Sequence, residues 1–182
     1  MPQDTPEIAR KRDESYRRTS GEHVARYLAT DGAEGYDDTE MLLQGQAYAQ
    51  AVIIATVAYL QERGVPLDEW ATGMGRRFTA AWGAPEPWTA PEFLDAMLAN
   101  LRSLGAEVDW ADLDDPTVAA ATLSGLFDEE LCLLFGTERT DVLRYLDATR
   151  EIAAARGLVW EWQSDGDDVQ IKVRAEGTTS TG

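Results

Sequence analysis

The sequence predicts a mainly α protein, a helical bundle that ends in a C-terminal antiparallel β-hairpin (α+β). Two observations carry this prediction. Apolar residues recur at helical spacing through most of residues 37–157, in segments that begin near capping residues and end at glycine. Two later runs, Leu158–Gln163 and Val169–Arg174, instead alternate with a period of two on either side of an Asp-Gly turn, which is typical of a hairpin.

The 182 residues divide into four predicted segments. Residues 1–36 are expected to form a polar helical arm and a loop, residues 37–157 the helical core, residues 158–175 the hairpin packed on that core, and residues 176–182 a disordered tail. The arm is slightly basic and the rest is strongly acidic. The arm is therefore expected to lie against the acidic body of its own chain or of a neighbour.

The first core helix is expected to begin near Asp37–Thr39 and to end at Gly64. Its stretch from Met41 to Gln61 carries no charge and is about as long as a transmembrane helix. It also contains four glutamines, which are costly in lipid. The stretch is therefore interpreted as a buried central helix of a soluble bundle.

The same signals predict four more helices. They follow Pro66, Thr89, Asp115-Pro116 and Thr137, and they end at Gly83, Gly105, Gly136 and Gly157. The helix from Pro116 to Phe135 is apolar on nearly every side. In the hairpin, Trp160 and Trp162 share one strand face and are expected to be largely buried against the helices.

Composition excludes several classes of function. The formal net charge of -17 repels nucleic acid and anionic membrane, so neither is expected as a partner. One cysteine and one histidine exclude an intrachain disulfide and a two-histidine metal site within a single chain. No metal and no cofactor is predicted. The first residues lack the apolar segment of a signal peptide, which favours a cytoplasmic location.

Glu130 is the candidate catalytic and ligand-binding carboxylate. On the predicted 116–135 helix it lies seven residues after Leu123 and four before Leu134, within the apolar stripe. A buried carboxylate must be protonated or paired, so an inward glutamate is a candidate acid/base or ligand-binding group. The alternatives are a structural ion pair without activity, or a helix that ends early and leaves Glu130 in water.

Arg77 is the expected partner of that carboxylate. It lies on the flank of its helix, one turn after Gly73, where another backbone or a ligand can approach closely. Its guanidinium is expected to hold a carboxylate from Glu130 or from a ligand, or else to border the core with its charged end in water. Gln46 and Gln50 are expected to line a polar pocket or, alternatively, to hydrogen-bond to a neighbouring loop.

The segment Ala71-Thr-Gly-Met-Gly-Arg-Arg-Phe78 resembles the Gly-x-Arg-Leu helix motif of the superfamily of haem–NO-binding domains, vinyl-reductase-type domains and TRAPP vesicle-tethering subunits. The resemblance implies helices packed with a small C-terminal antiparallel element, and an apolar or small-molecule ligand within the bundle. The sequence departs from the pattern at three points. Ala71 replaces the usual earlier glycine, the bundle has no haem-ligand histidine, and only Glu129-x-x-Cys132 remains of the cysteine set.

These patterns favour a small-molecule binding or sensor module, with a mostly apolar pocket and a carboxylate–arginine handle for a small apolar or carboxylate-bearing ligand. One alternative is a cofactor-free hydrolase or lyase with Glu130 as acid/base and Arg77 as anion clamp. Another is an oligomerising scaffold whose hairpins pair across a two-fold axis. A homodimer is expected, joined through the hairpin edge or through the apolar central helices.

Overall fold

The computed structural model describes residues 38–81 and 87–177, so the predicted arm 1–36 lies outside the described residues. In the described part, helices pack on one four-stranded antiparallel sheet, an α+β fold. The elements in chain order are α1 (Asp38–Glu62), α2 (Leu67–Ala81), α3 (Ala90–Ser103), β1 (Glu107–Asp115), β2 (Val118–Ser124), α4 (Glu129–Leu134), α5 (Arg139–Val142), a 3₁₀ turn (Leu143–Asp147), α6 (Ala148–Ala154), β3 (Leu158–Asp165) and β4 (Asp168–Ala175).

The sheet is larger than the predicted hairpin. Its strand order is β1-β2-β4-β3, so β4 pairs with β3 on one side and with β2 on the other. The hairpin itself is confirmed, with Trp160 opposite Val173 and buried as predicted. Trp162 is partly buried, and its indole Nε1 donates to Asp147 Oδ1 over 2.8 Å.

The predicted helix from Pro116 to Phe135 is wrong. Its first half is β2, and only Glu129–Leu134 is helical. Asp115 does not cap a helix: its Oδ1 accepts from the Thr117 backbone N–H and hydroxyl, which closes the turn between β1 and β2. Burial alternates along β2, yet alanines on both strand faces hide that alternation in the sequence.

α1 is not the predicted buried central helix. Its inward residues lie along one face, and only 17% of its most apolar window is buried. By length and composition alone, the segment Met41–Glu62 could cross a membrane. Its buried residues, Gln50, Ile54 and Val57, recur at helical spacing and form a single stripe against the body.

The core lies between the sheet and two helices. α3 packs on β1, β2 and β4 through a stripe that includes Phe93, Met97 and Leu101, and α6 packs on β3. A reciprocal capping box fixes the start of α3: the Glu92 carboxylate accepts from the Thr89 backbone N–H over 2.8 Å. The last predicted helix is present but divided into α5, the 3₁₀ turn and α6.

Among the described glycines, Gly75 of α2 has the closest neighbours. A Cβ built there would lie 2.2 Å from the Ala148 carbonyl oxygen and 2.9 Å from the Glu151 Cβ. The sequence predicted this close approach at Gly73, which is wrong. A Cβ at Gly73 would meet only Arg77 Nη1, at 3.4 Å. The absent side chain at Gly75 therefore sets how closely α2 packs on α6.

Gly75→Ala is expected to lower the free energy of unfolding by about 2 kcal/mol or more, because the added methyl overlaps backbone that cannot move alone. Gly73→Ala is the matched control in the same helix. It is expected to be neutral or to stabilise by up to about 1 kcal/mol, through helix propensity. Chemical denaturation of both variants measures the difference. Equal effects of the two substitutions would contradict the close α2–α6 contact.

Candidate functional site

A cavity of about 250 Å³ lies between α2, α3, the 3₁₀ turn, α6 and β3. Its walls are mostly apolar. Its larger apolar and aromatic lining residues include Phe78, Met97, Leu101, Tyr145, Ile152 and Trp160. Such a space, concave and lined mainly by apolar side chains, is typical of small-ligand sites. It is therefore the candidate functional site of the described residues.

Trp160 is the unusual member of this wall. Its side chain is 3% exposed, and its ring meets Phe93 edge-on with centroids 6.2 Å apart. Its indole Nε1 is buried and has no hydrogen-bond partner among the described residues. Buried indole N–H groups usually find an acceptor, since leaving one unpaired costs free energy. The group is thus an unused donor in a residue that lines the cavity.

The cavity offers polar groups but no charge. Asn100, Ser103 and Thr149 contribute to its lining, and the Ser103 hydroxyl donates to the Asn100 carbonyl oxygen over 2.6 Å. Burial raises the pKa of the Tyr145 phenol, so its hydroxyl stays protonated near neutral pH. None of the described lining residues is acidic or basic. The described lining therefore offers no charged side chain to a molecule in the cavity.

Glu130 does not lie where the sequence placed it. The inward interpretation is wrong and the alternative that leaves Glu130 in water is confirmed, because Glu130 is exposed in the first turn of the short helix α4. Arg77 is exposed as well, and its Nη1 donates to the carbonyl of Gly73 in its own helix over 3.1 Å. Arg77 and Glu130 form no salt bridge with each other. The physical basis of the predicted catalytic pair is thereby removed.

Gln46 and Gln50 follow the second interpretation, hydrogen bonds to a loop. Gln50, 9% exposed, donates from Nε2 to the Leu104 carbonyl oxygen over 2.6 Å. Its Oε1 accepts from the Phe127 backbone N–H over 3.1 Å. Gln46 Nε2 donates to the Arg102 carbonyl oxygen over 3.0 Å. Both amides therefore fasten α1 to the body, and neither lines the cavity.

Cys132 is a small residue buried in the core. Desolvation raises the pKa of its thiol to about 11, and the charges of Asp128 and Glu129 add to the rise while Arg139 opposes it. A thiol of this kind is a poor nucleophile near neutral pH. The described residues also hold no cluster of three or more histidine, cysteine or acidic side chains suited to a metal ion.

A second concavity, of about 410 Å³, lies over the strands of the sheet. Trp110 of β1 stands beside it with a 54% exposed side chain. Glu161, Gln170 and Lys172 contribute polar and charged groups to its lining. Because this surface is more polar than the cavity under the helices, it fits a small apolar ligand less well.

The cavity could not be predicted from the sequence, although one of its residues lies in a motif that the sequence contains. The motif is Ala71–Phe78 of α2, and its last residue, Phe78, lines the cavity. The remaining wall comes from α3, α6 and β3, which are distant from the motif along the chain. Only the tertiary arrangement brings these residues together.

Gln50→Leu is expected to lower the free energy of unfolding by about 2 kcal/mol or more, because it leaves the buried N–H of Phe127 and the carbonyl of Leu104 unpaired. Gln46→Leu is the control one turn away. It removes a single exposed hydrogen bond and is expected to cost less than about 1 kcal/mol. Thermal or urea unfolding measures both. A Gln46 effect as large as the Gln50 effect would contradict this assignment.

The raised pKa of Cys132 predicts a pH dependence of stability. The unfolded thiol ionises near pH 8.5, at about its ordinary pKa, whereas the folded thiol ionises at about 11. Between these values the unfolded state loses its proton first, so alkali favours unfolding. The contribution of Cys132 to stability is complete below the unfolded pKa and is lost as pH rises toward the folded pKa.

Cys132→Ala removes this titration. The free energy of unfolding of wild type is expected to fall relative to the variant, by on the order of 2 kcal/mol across this alkaline window. Denaturation curves at matched pH values measure the difference, and other titrating groups cancel between the two proteins. Parallel pH profiles for wild type and variant would show that the thiol is solvated.

No known protein family, curated protein or solved structure matches this chain. The resemblance of the Ala71–Phe78 segment to the haem–NO-binding and TRAPP superfamily therefore stays a prediction. Among the described residues, the cavity beside Trp160 is the feature that most resembles a small-ligand site.

Proposed function

We propose that the protein is a binding or sensor module that holds one small, mostly apolar and uncharged molecule in the cavity between α2, α3, α6 and β3. The observation that carries the proposal is Trp160, which lines an apolar cavity and has a buried N–H without a partner among the described residues. The N–H itself is not exposed to the cavity, so a ligand with one hydrogen-bond acceptor would pair with it after a small rotation of the indole and would fill the space beside it.

The size of the cavity limits the ligand. An apolar cavity of about 150 Å³ is large enough for a benzene ring, and drug-sized ligands occupy roughly 300–1,000 Å³. At about 250 Å³, this cavity suits a single ring or a short branched chain with a small substituent. This polar handle differs from the carboxylate–arginine pair that the sequence suggested, because its donors are the indole of Trp160 and the phenol of Tyr145.

The same lining favours binding over catalysis. A carboxylate-bearing ligand would bring an unpaired charge into a wall that has no cation among its described residues, so a neutral ligand is favoured. A hydrolase or lyase needs an acid or base beside the substrate, and Glu130 lies in solvent instead. The resemblance of the α2 motif to ligand-binding domains implies the same kind of apolar occupant.

A matched pair of probes tests the proposal. Acetophenone has a carbonyl acceptor, and ethylbenzene has nearly the same shape without one. Acetophenone is expected to bind more tightly and to shift the indole ¹⁵N–¹H resonance of Trp160, because only its carbonyl can accept from the N–H. Titration calorimetry and NMR measure affinity and location. Equal affinities of the two probes, or resonance shifts that avoid the cavity residues, would contradict the assigned role of Trp160.

Thr149→Phe fills the cavity from α6 and is expected to weaken acetophenone binding by about tenfold or more, which is about 1.4 kcal/mol. Ala154→Phe is the control, because Ala154 is exposed on the same helix and does not line the cavity. It is expected to bind as wild type does. Circular dichroism verifies that both variants fold. Unchanged binding by a folded Thr149→Phe would place the ligand elsewhere.

A further inference from the structure

The outward face of α1 carries a regular apolar stripe. Its members are Met41, Gly45, Tyr48, Val52, Ala55 and Tyr59, separated in turn by four, three, four, three and four residues. This is the heptad spacing that faces a partner helix in coiled coils. The four large members are between 47% and 70% exposed, and a Cβ on Gly45 would meet nothing within 4 Å. No described residue therefore covers the stripe fully.

The inward face of the same helix is fixed to the body. Gln46 and Gln50 hydrogen-bond to backbone groups at one end, and Ile54 and Val57 are fully buried near the middle. Near the other end Gln61 accepts from the Thr137 hydroxyl over 2.7 Å. Crossing a bilayer would require breaking these contacts and placing amides in lipid. The helix is therefore held against the body by its inward face, and the apolar stripe lies on its outward face.

Charge favours a second copy as the occupant of the stripe. The chain carries a net charge of -17, so two copies repel over most of their surfaces. Residues 41–61 carry no charge at all, so this repulsion is weakest where two α1 helices meet. Anionic lipid would be repelled by the same field that surrounds the body.

We propose that the stripe is a homodimer interface in which α1 packs antiparallel on α1 of a second copy. In that arrangement Tyr48 lies opposite Val52 of the partner, and Gly45 lies opposite Ala55, so large and small residues form separate layers. The small layers allow the helices to approach closely while the large side chains fill the space between them. A two-fold axis then relates the two copies.

The charges at the helix ends favour the antiparallel orientation. The first turn of α1 contains Asp38 and Glu40, while its last residue, Glu62, is followed by Arg63. The Arg63 guanidinium lies 5.4 Å from the ring centre of Tyr59, at the end of the stripe. A parallel pair would place four acids together. An antiparallel pair instead brings each acidic end near the Glu62 and Arg63 of the other copy, whose charges sum to zero, with opposed helix dipoles.

The full chain provides the test. Sedimentation equilibrium over a concentration series is expected to show wild type passing from monomer to dimer. Val52→Glu places a charge in the centre of the stripe and is expected to raise the dimer dissociation constant by at least tenfold. Ala47→Glu is the matched control, because Ala47 is exposed on the same helix but lies off the stripe, and it is expected to dimerise as wild type does. Circular dichroism shows whether each variant is folded.

Orientation is tested by disulfide formation in a Cys132→Ala background. A mixture of Tyr48→Cys chains with Val52→Cys chains is expected to form the mixed disulfide faster than either chain alone forms its own. Faster self-linking of Val52→Cys would overturn the antiparallel arrangement.

Three results would overturn the interface itself. A wild type that stays monomeric at every concentration would show that the stripe does not join two copies. A folded Val52→Glu that dimerises as wild type does would place the contact elsewhere. Monomeric wild type that floats with phosphatidylcholine vesicles, while Val52→Glu does not, would make the occupant lipid.

Discussion

The loop before α4 joins distant parts of the fold, because side chains from α1 and α5 bind its backbone and the α5 side chain also binds the β3–β4 turn. Arg139 of α5 donates from Nε to the carbonyl oxygens of Leu126 and Phe127, at 3.0 and 2.9 Å. Its two terminal nitrogens donate to the carbonyls of Gly166 and Asp167 in the β3–β4 turn, at 2.8 and 2.9 Å. Gln50 binds the same loop from α1. One guanidinium and one amide thus join the first helix, the loop and the hairpin.

These hydrogen bonds explain how Phe127 is held in a strained backbone conformation. Phe127 has a φ of 59°, a left-handed conformation that is uncommon for a residue with a side chain. Its N–H, its carbonyl and its fully buried ring are all held, the ring edge-on to Tyr145 with centroids 6.1 Å apart. Strained backbone persists where its surroundings determine it from several sides. Tyr145 also lines the cavity, so its ring lies between the loop and the candidate site and contacts both.

An element could be predicted from the sequence where its residue pattern fits only one kind of secondary structure. The C-terminal hairpin was predictable because Trp160 and Val173 belong to clean alternating runs beside a turn. β2 was not, since Ala119–Ala121 fits a helix and a strand equally well, and the difference lies in pairing with β4. The misplacement of Glu130 followed directly from that error, because its inward position depended on a helix through residues 116–135. The cavity and the close approach at Gly75 arise from tertiary packing between elements that are distant in the sequence. The spacing of apolar residues within one element does not show such packing.

The central position of β4 sets an order for assembly during synthesis. β2 finds its second partner only in β4, the last of the four strands along the chain. While a ribosome has released only the residues before β3, β1 and β2 form a two-stranded pair against α3, and the edge of β2 that later pairs with β4 is unsatisfied. The sheet therefore closes late, after nearly all of the described chain has emerged. Until then, this edge of β2 is exposed to chaperones and to aggregation.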